Sequence, residues 1–189
     1  MAQLTFRKQK KRMNYDLLRV ILTWTFEILI VGFVAFVLVW FWGLRVSIIG
    51  DSMKPQMANG DIVLVNRIAY NMGTPKRGDI VAFQPDGHEN AHYYVKRIVG
   101  LPGEKIEVKQ GELLVNGEKI REKYKTTEII ELGLLEEPIV LGNNEYFLLG
   151  DDRQNSEDSR SLNIGNVKRS DIVGKDWFDT SGKRFGFVK

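Results

Sequence analysis

Attack on a carbonyl needs a nucleophile and a base, and this sequence restricts both. It contains no cysteine and two histidines, His88 and His92, which share one polar stretch. A thiolate nucleophile, a disulfide and a thiolate metal site are therefore excluded, and a histidine-rich metal site lacks its ligands. No Ser-His-Asp set suggests itself. A serine hydroxyl is a poor nucleophile at neutral pH without a positioned base. Lysine can be that base if burial lowers its pKa enough to leave the amine neutral. Ser52 stands in Gly50-Asp51-Ser52-Met53-Lys54-Pro55, and Lys96 follows Tyr93-Tyr94-Val95. On an alternating strand Lys96 shares a face with Tyr94 and Ile98, an apolar setting that would desolvate it. By type alone Ser52 also reads as a small turn residue and Lys96 as a solvated edge-strand lysine.

The elements that must hold these two residues read as β-rich. Short apolar runs broken by turn chemistry cover Val46–Ile49, Asp61–Asn66, Asp79–Phe83, Tyr93–Val99, Lys105–Val108, Glu112–Val115, Tyr146–Leu149 and Asp171–Val173. Asn116-Gly117 between apolar runs is a two-residue hairpin signal. Only Ile129–Leu135 hints at a helical period after residue 45. Residues 104–145 are richer in charge and read as a small β insertion.

Ahead of these strands lies a different kind of segment. Val20 to Leu44 is 25 residues with Glu27 as its one charge, about 37 Å as a helix against a hydrocarbon core of about 30 Å. Trp24 and Trp42 stand about 27 Å apart along it, the spacing of two interfacial belts. A cleaved signal peptide would be shorter and end at a small-x-small site, and this run ends in Trp-Phe-Trp-Gly-Leu-Arg. The reading is an anchor, with a buried hairpin of a soluble protein as the alternative. Residues 1–19 hold six basic groups and one acid, whereas the remainder holds 21 basic and 23 acidic residues. The basicity of the chain thus belongs to its tail, which removes the case for a nucleic-acid-binding face. The positive-inside rule places residues 1–19 in the cytoplasm and 45–189 outside the plasma membrane. Ser52 lies eight residues beyond Leu44, within about 26 Å of the helix end on an extended chain.

Four segments occur in a telling order after this anchor: Gly50–Pro55, Arg77–Phe83, Tyr94–Gly103 and Gly150–Arg160. In that order they resemble the bacterial type I signal peptidases, over roughly residues 17–178, and most of all the short forms with a small insertion. The resemblance implies an antiparallel β-sheet peptidase domain of the signal peptidase/LexA-like type. It implies removal of signal peptides from preproteins emerging from the translocon, cleavage after Ala-x-Ala-type sites, and no cofactor. Membrane lipid would be a second partner. Ser52 and Lys96 become nucleophile and base, and Ser156 becomes the hydroxyl that orients the lysine. Asp158 and Arg160 become a supporting ion pair. The substrate would lie as an added strand between the segments around Val46–Gly50 and Tyr93–Lys96. Val46, Ile48, Met53 and Val95 are then pocket candidates, or equally ordinary core.

Two departures stand out. The family usually has threonine where this chain has Gln56, and some members have at the Gly50 position a serine that supplies an oxyanion donor. A self-cleaving repressor of the LexA kind would carry a helix-turn-helix where this chain carries its apolar run. A paralogue that binds precursors without cutting them has only Gln56 in its favour.

Overall fold

The computed structural model describes residues 15–42, 44–71, 73–85, 92–181 and 185–188. The basic residues up to position 12 and His88 lie outside them. A single 28-residue helix, α1 (Tyr15–Trp42), comes first. It starts five residues before the apolar run, because Tyr-Asp-Leu-Leu-Arg continues the helix and Asp16 complements the dipole in its first turn. Thr23 and Thr25 return their hydroxyls to the carbonyls of Arg19 and Ile21, both at 2.9 Å, so neither side chain presents an unpaired donor. Tyr15–Leu38, with a mean hydropathy of 2.3, is long and apolar enough to cross a membrane. Trp24 is exposed; the side chain of Trp42, the other belt residue, is outside the described part. Contacts divide the chain at Trp40 and Phe41 into two compact units.

The second unit is mainly antiparallel β, as the sequence leads one to expect. Its strands are β1 (Leu44–Ser47), β2 (Ile62–Asn66), β3 (Ile80–Phe83), β4 (Tyr94–Gly100), β5 (Lys105–Lys109), β6 (Glu112–Val115), β7 (Glu118–Lys119), β8 (Ile139–Val140), β9 (Glu145–Leu149), β10 (Val167–Lys168), β11 (Ile172–Asp179) and β12 (Gly186–Phe187). Leu44 opens β1, where it pairs with Val65, and does not end the helix. The larger sheet runs β1-β2-β11-β3-β4-β9-β10, with β12 on β11; the smaller runs β7-β6-β5-β8. Asn116 and Gly117 both take positive φ, 53° and 83°, the backbone a two-residue hairpin requires. The helical hint near 129–135 resolves into one 3-10 turn at Gly133–Glu136.

Alternation along the strands sorts the core. Val63, Val65, Ile80, Ala82 and Val95 pack with Val46, Ile48, Met53 and Met57. Val81, Phe83, Ile98, Leu148 and Ile172 form a second cluster. On the other side of β9, Phe147 and Leu149 join Val99 to Ile106, Leu113, Val115 and Leu141, which fixes the small sheet against the large one.

One core position breaks the pattern. Asp176, opposite Val65, is fully buried, and neither of its carboxylate oxygens has a hydrogen-bond partner. Burial pushes its pKa well above the ordinary carboxylate value, so the folded state keeps it protonated where the unfolded chain would ionise it. That difference removes stability as pH rises above the unfolded pKa. Asp176→Ala is therefore expected to melt higher than wild type at pH 8, with the gap narrowing towards pH 4. A thermal series showing no gap at pH 8 would contradict this.

Candidate active site

Ser52 sits in the loop between β1 and β2, and two buried methionines hold that loop in place. Met53 and Met57 are 0% and 1% exposed, and the Met57 amide donates to the Met53 carbonyl at 2.9 Å. The loop closes on itself as Ile48 donates to Asp61 and Gly60 donates to Ile48. Gly50 has φ +86°, a region open to glycine and strained for serine, and its N–H donates to the Asn59 side chain at 3.1 Å. The turn thus presents Ser52 half-buried beside the sheet.

Lys96 arrives from the middle of β4, opposite Val81. Its strand face carries Tyr94 and Ile98, and the amine is almost wholly buried. Lys96 Nζ lies 2.5 Å from Ser52 Oγ, across 44 residues of sequence. Burial pulls the amine down to about 8, against the opposing attraction of Asp158 and Glu157. The pair has the geometry of a hydroxyl hydrogen-bonded to a base that is partly neutral near physiological pH.

The third component is the loop after β9. Asp158 and Arg160 form a two-pronged ion pair, with Nε–Oδ1 at 2.8 Å and Nη2–Oδ2 at 2.9 Å. Asp158 also accepts the Gly150 N–H at 3.1 Å, and the Asp152 N–H donates to the Ser52 carbonyl at 3.0 Å. Ser156 Oγ is buried and has no hydrogen-bond partner; the bond to Lys96 that its family counterpart implies is not formed. It lies instead against Gly150, where an added Cβ would stand 2.2 Å from Ser156 Oγ and 2.4 Å from the Ser52 carbonyl oxygen.

A cavity of about 330 Å³ opens beside the pair, lined on one wall by Ile48, Ile49 and Gly50 and on the other by Tyr93, Tyr94 and Val95, with Asn155 and Glu157 at the loop side. Of the four pocket candidates, Ile48 and Val95 reach this lining, while Val46 and Met53 do not. Val46 sits in the core between sheet strands, and Met53 is the loop's buried anchor. His92 also lines the cavity and is exposed, whereas the side chain bonded to Ser52 is Lys96. Sequence reasoning passed over Arg97 and Asp151, which form a buried bidentate pair at 2.8 and 2.7 Å; the signal was their presence in two of the four motif segments.

Gly150→Ala is expected to push Ser156 and the Ser52 carbonyl apart. The cost in turnover is about 100-fold, the penalty of a roughly 1 Å misplacement. Near-wild-type turnover of a folded variant would show that this contact is not needed.

A family model described as signal peptidase, peptidase S26, matches residues 21–179. Signal peptidase I P of Bacillus subtilis subsp. natto is 37% identical over 176 residues, covering 89% of this chain and 91% of that one. Signal peptidase IB of Staphylococcus aureus strain COL is 32% identical over 170 residues, covering 82% and 86%. A crystal structure of a signal peptidase I from Enterococcus faecalis V583 is similar at 31% identity and a TM-score of 0.43, over 53% of this chain and 95% of that one. A family model that spans most of the sequence, and relatives that align over nearly their whole length, lead to one conclusion: the chain belongs to the signal peptidase I family, serine peptidases that remove signal peptides.

Proposed function

We propose that this protein is a membrane-anchored endopeptidase that cuts signal peptides from exported preproteins after small residues, with Ser52 as nucleophile and Lys96 as general base. The observation that carries this reading is the 2.5 Å contact between the Ser52 hydroxyl and a buried, depressed-pKa lysine amine. Lys96 takes the Ser52 proton as the hydroxyl oxygen attacks the scissile carbonyl. The Ser52 backbone N–H supports the oxyanion; Gly50 has no side-chain hydroxyl to add. Protonated Lys96 then gives its proton to the leaving amine, and water cleaves the acyl-enzyme with Lys96 again as base. Ser156 Oγ is an enclosed acceptor available to the ammonium form, and the Asp158–Arg160 pair holds the loop that carries it.

The precursor enters as an extended strand between Ile48–Gly50 and Tyr93–Lys96, the two walls of the cavity. Ile48 and Val95 are the apolar contacts for small residues before the cut. In this reading residues 1–19 are cytoplasmic, the apolar run from Val20 to Trp42 spans the plasma membrane, and the chain from Leu44 onward forms the extracytoplasmic peptidase domain with its insertion at 104–145. The preprotein is presented by the translocon, and lipid is a second partner. An aromatic cluster supports lipid contact: Trp177, Phe178, Phe185 and Phe187 pack tilted or edge to face with centroids 4.9–5.9 Å apart. Phe185 and Phe187 are each 73% exposed, the amphipathic arrangement favoured at an interface.

In detergent, the wild-type chain is expected to cleave a precursor after an Ala-x-Ala site, while Ser52→Ala and Lys96→Ala leave it intact. The kcat/KM profile should rise with pH through a midpoint near 8, the pH at which the Lys96 amine loses its proton. A midpoint near 6.5 would point to a histidine instead, and a wild-type chain that binds precursor without cutting it would end the enzyme reading. For orientation, protease added to intact spheroplasts should digest residues 45–189 and spare an N-terminal tag. The reverse pattern would invert the topology.

A further inference from the structure

The insertion reaches the catalytic residues through one stretch of chain. Between β7 and the turn at Gly133, residues 120–132 run without strand or helix, yet they contact all three buried arginines beside the site, Arg97, Arg153 and Arg160. The Tyr124 ring lies under the Arg97 guanidinium, 3.8 Å from centroid to carbon. Arg97 directly follows Lys96 in β4 and carries the bidentate bond to Asp151, while its Nη1 donates to the Gly78 carbonyl at 2.9 Å. The Tyr124 hydroxyl donates to Glu122 at 3.0 Å, and Glu122 also receives Arg153 Nη2. Arg153 is 1% exposed at its side chain and donates from Nε to the Gly150 carbonyl at 2.8 Å. Gly150 is the residue against which Ser156 Oγ and the Ser52 carbonyl are packed. Further along, Thr127 donates to Asp151 and Asp152 at 3.1 Å, and the Glu131 carbonyl accepts from Arg160 at 2.9 Å.

These contacts form a closed path: Lys96–Arg97–Tyr124–Glu122–Arg153–Gly150–Ser52. A cation over an aromatic face is held more strongly when both are desolvated, and a hydrogen bond to an ionised partner is stronger than a neutral one. Only the two ends of the path, Lys96 and Ser52, line the cavity; neither Glu122 nor Tyr124 reaches it. Their action is therefore through other residues.

We propose that Tyr124 and Glu122 are positioning residues for the Ser52–Lys96 pair, clamping Arg97 on the lysine strand and Arg153 on the loop after β9, which packs against the Ser52 carbonyl, so that both groups meet in register. The clamp rests on the reading of Ser52 and Lys96 as the catalytic pair. It makes the insertion part of the catalytic machinery's support and distinguishes it from an appendage. Loosening the clamp admits water around Lys96, and a better-hydrated amine has a higher pKa.

The test uses the full-length chain in detergent with Tyr124→Leu, Tyr124→Phe and Glu122→Gln. Precursor turnover is paired with the pH dependence of Lys96 acetylation by acetic anhydride, read by peptide mass spectrometry. Tyr124→Leu should lower kcat about 10-fold or more with KM within about twofold. Its Lys96 labelling midpoint should move up by about half a pH unit or more. Tyr124→Phe, which keeps the ring, should recover most of kcat, and Glu122→Gln should change both readouts in the same direction as Tyr124→Leu but less. Variants that lose melting temperature alone, with kcat and the labelling midpoint at wild-type values, overturn the proposal. If Tyr124→Leu does not fold, Glu122→Gln decides it by the same two readouts. A wild-type chain that cuts nothing would defeat the catalytic reading, while the labelling midpoints would still judge the clamp.

Discussion

Taking Lys96 out of water is the constraint on which the rest of the peptidase domain depends. An amine that titrates near 8 in the folded protein and at 10.5 in the unfolded chain costs the fold about 3 kcal/mol at neutral pH. The cost fades as pH rises from 8 through 10.5, where the unfolded chain also gives up the proton. Its position in mid-strand, with Val81 opposite and Ile98 on the same face, sets the desolvation. The carboxylates of Asp158 and Glu157 work the other way by favouring the charged form, and Arg160 partly offsets them. The Asp158–Arg160 pair therefore does more than brace a loop. By tying up the carboxylate with the largest pull on the amine, it limits how strongly that carboxylate can hold the lysine proton.

The loop after β9 is where this balance is kept. It carries Asp151, Arg153, Asp158 and Arg160, all nearly inaccessible; two of its ion pairs are buried, and a third, Arg153 with Glu122, is half-buried. Buried pairs seldom add much net stability over apolar packing, but losing one partner strands the other. Two pairs link the loop to other elements, Asp151 to β4 through Arg97 and Arg153 to the insertion through Glu122, while Asp158 and Arg160 brace the loop internally. The set fixes a register that apolar contacts alone would leave adjustable. Asp176 is the contrast, a buried carboxyl in the same sheet with no such partner, and its environment answers by keeping it protonated.

On the serine side the same register is held by apolar packing. Met53 and Met57 bury the underside of the loop, and its backbone bonds close the turn above them. A flexible thioether fills irregular space readily, which suits a short irregular loop against a flat sheet. Met53, adjacent to Ser52 in sequence, is thereby kept out of the cavity lining, which is supplied instead by Ile48, Val95 and the two tyrosines beside it.

The sequence by itself determined the longer strands, the apolar helix and the Asn116-Gly117 hairpin, all of which rest on local physics: side-chain period or turn geometry. Ser52 and Lys96, which meet at 2.5 Å, were marked by the motif order the chain shares with signal peptidases, since by type alone they read as a turn serine and an edge-strand lysine. Short strands such as β8, β10 and β12 left no period to read, and the helical hint at 129–135 was too short to separate from a single turn. Tertiary structure alone decided which of Val46, Ile48, Met53 and Val95 face the cavity. A strand's alternation says that two residues share a face but not what covers that face. It alone joined Glu122 to Arg153 across 31 residues and placed Tyr124 under Arg97. Such contacts depend on where two distant pieces of backbone cross, and no local pattern in either piece encodes the crossing.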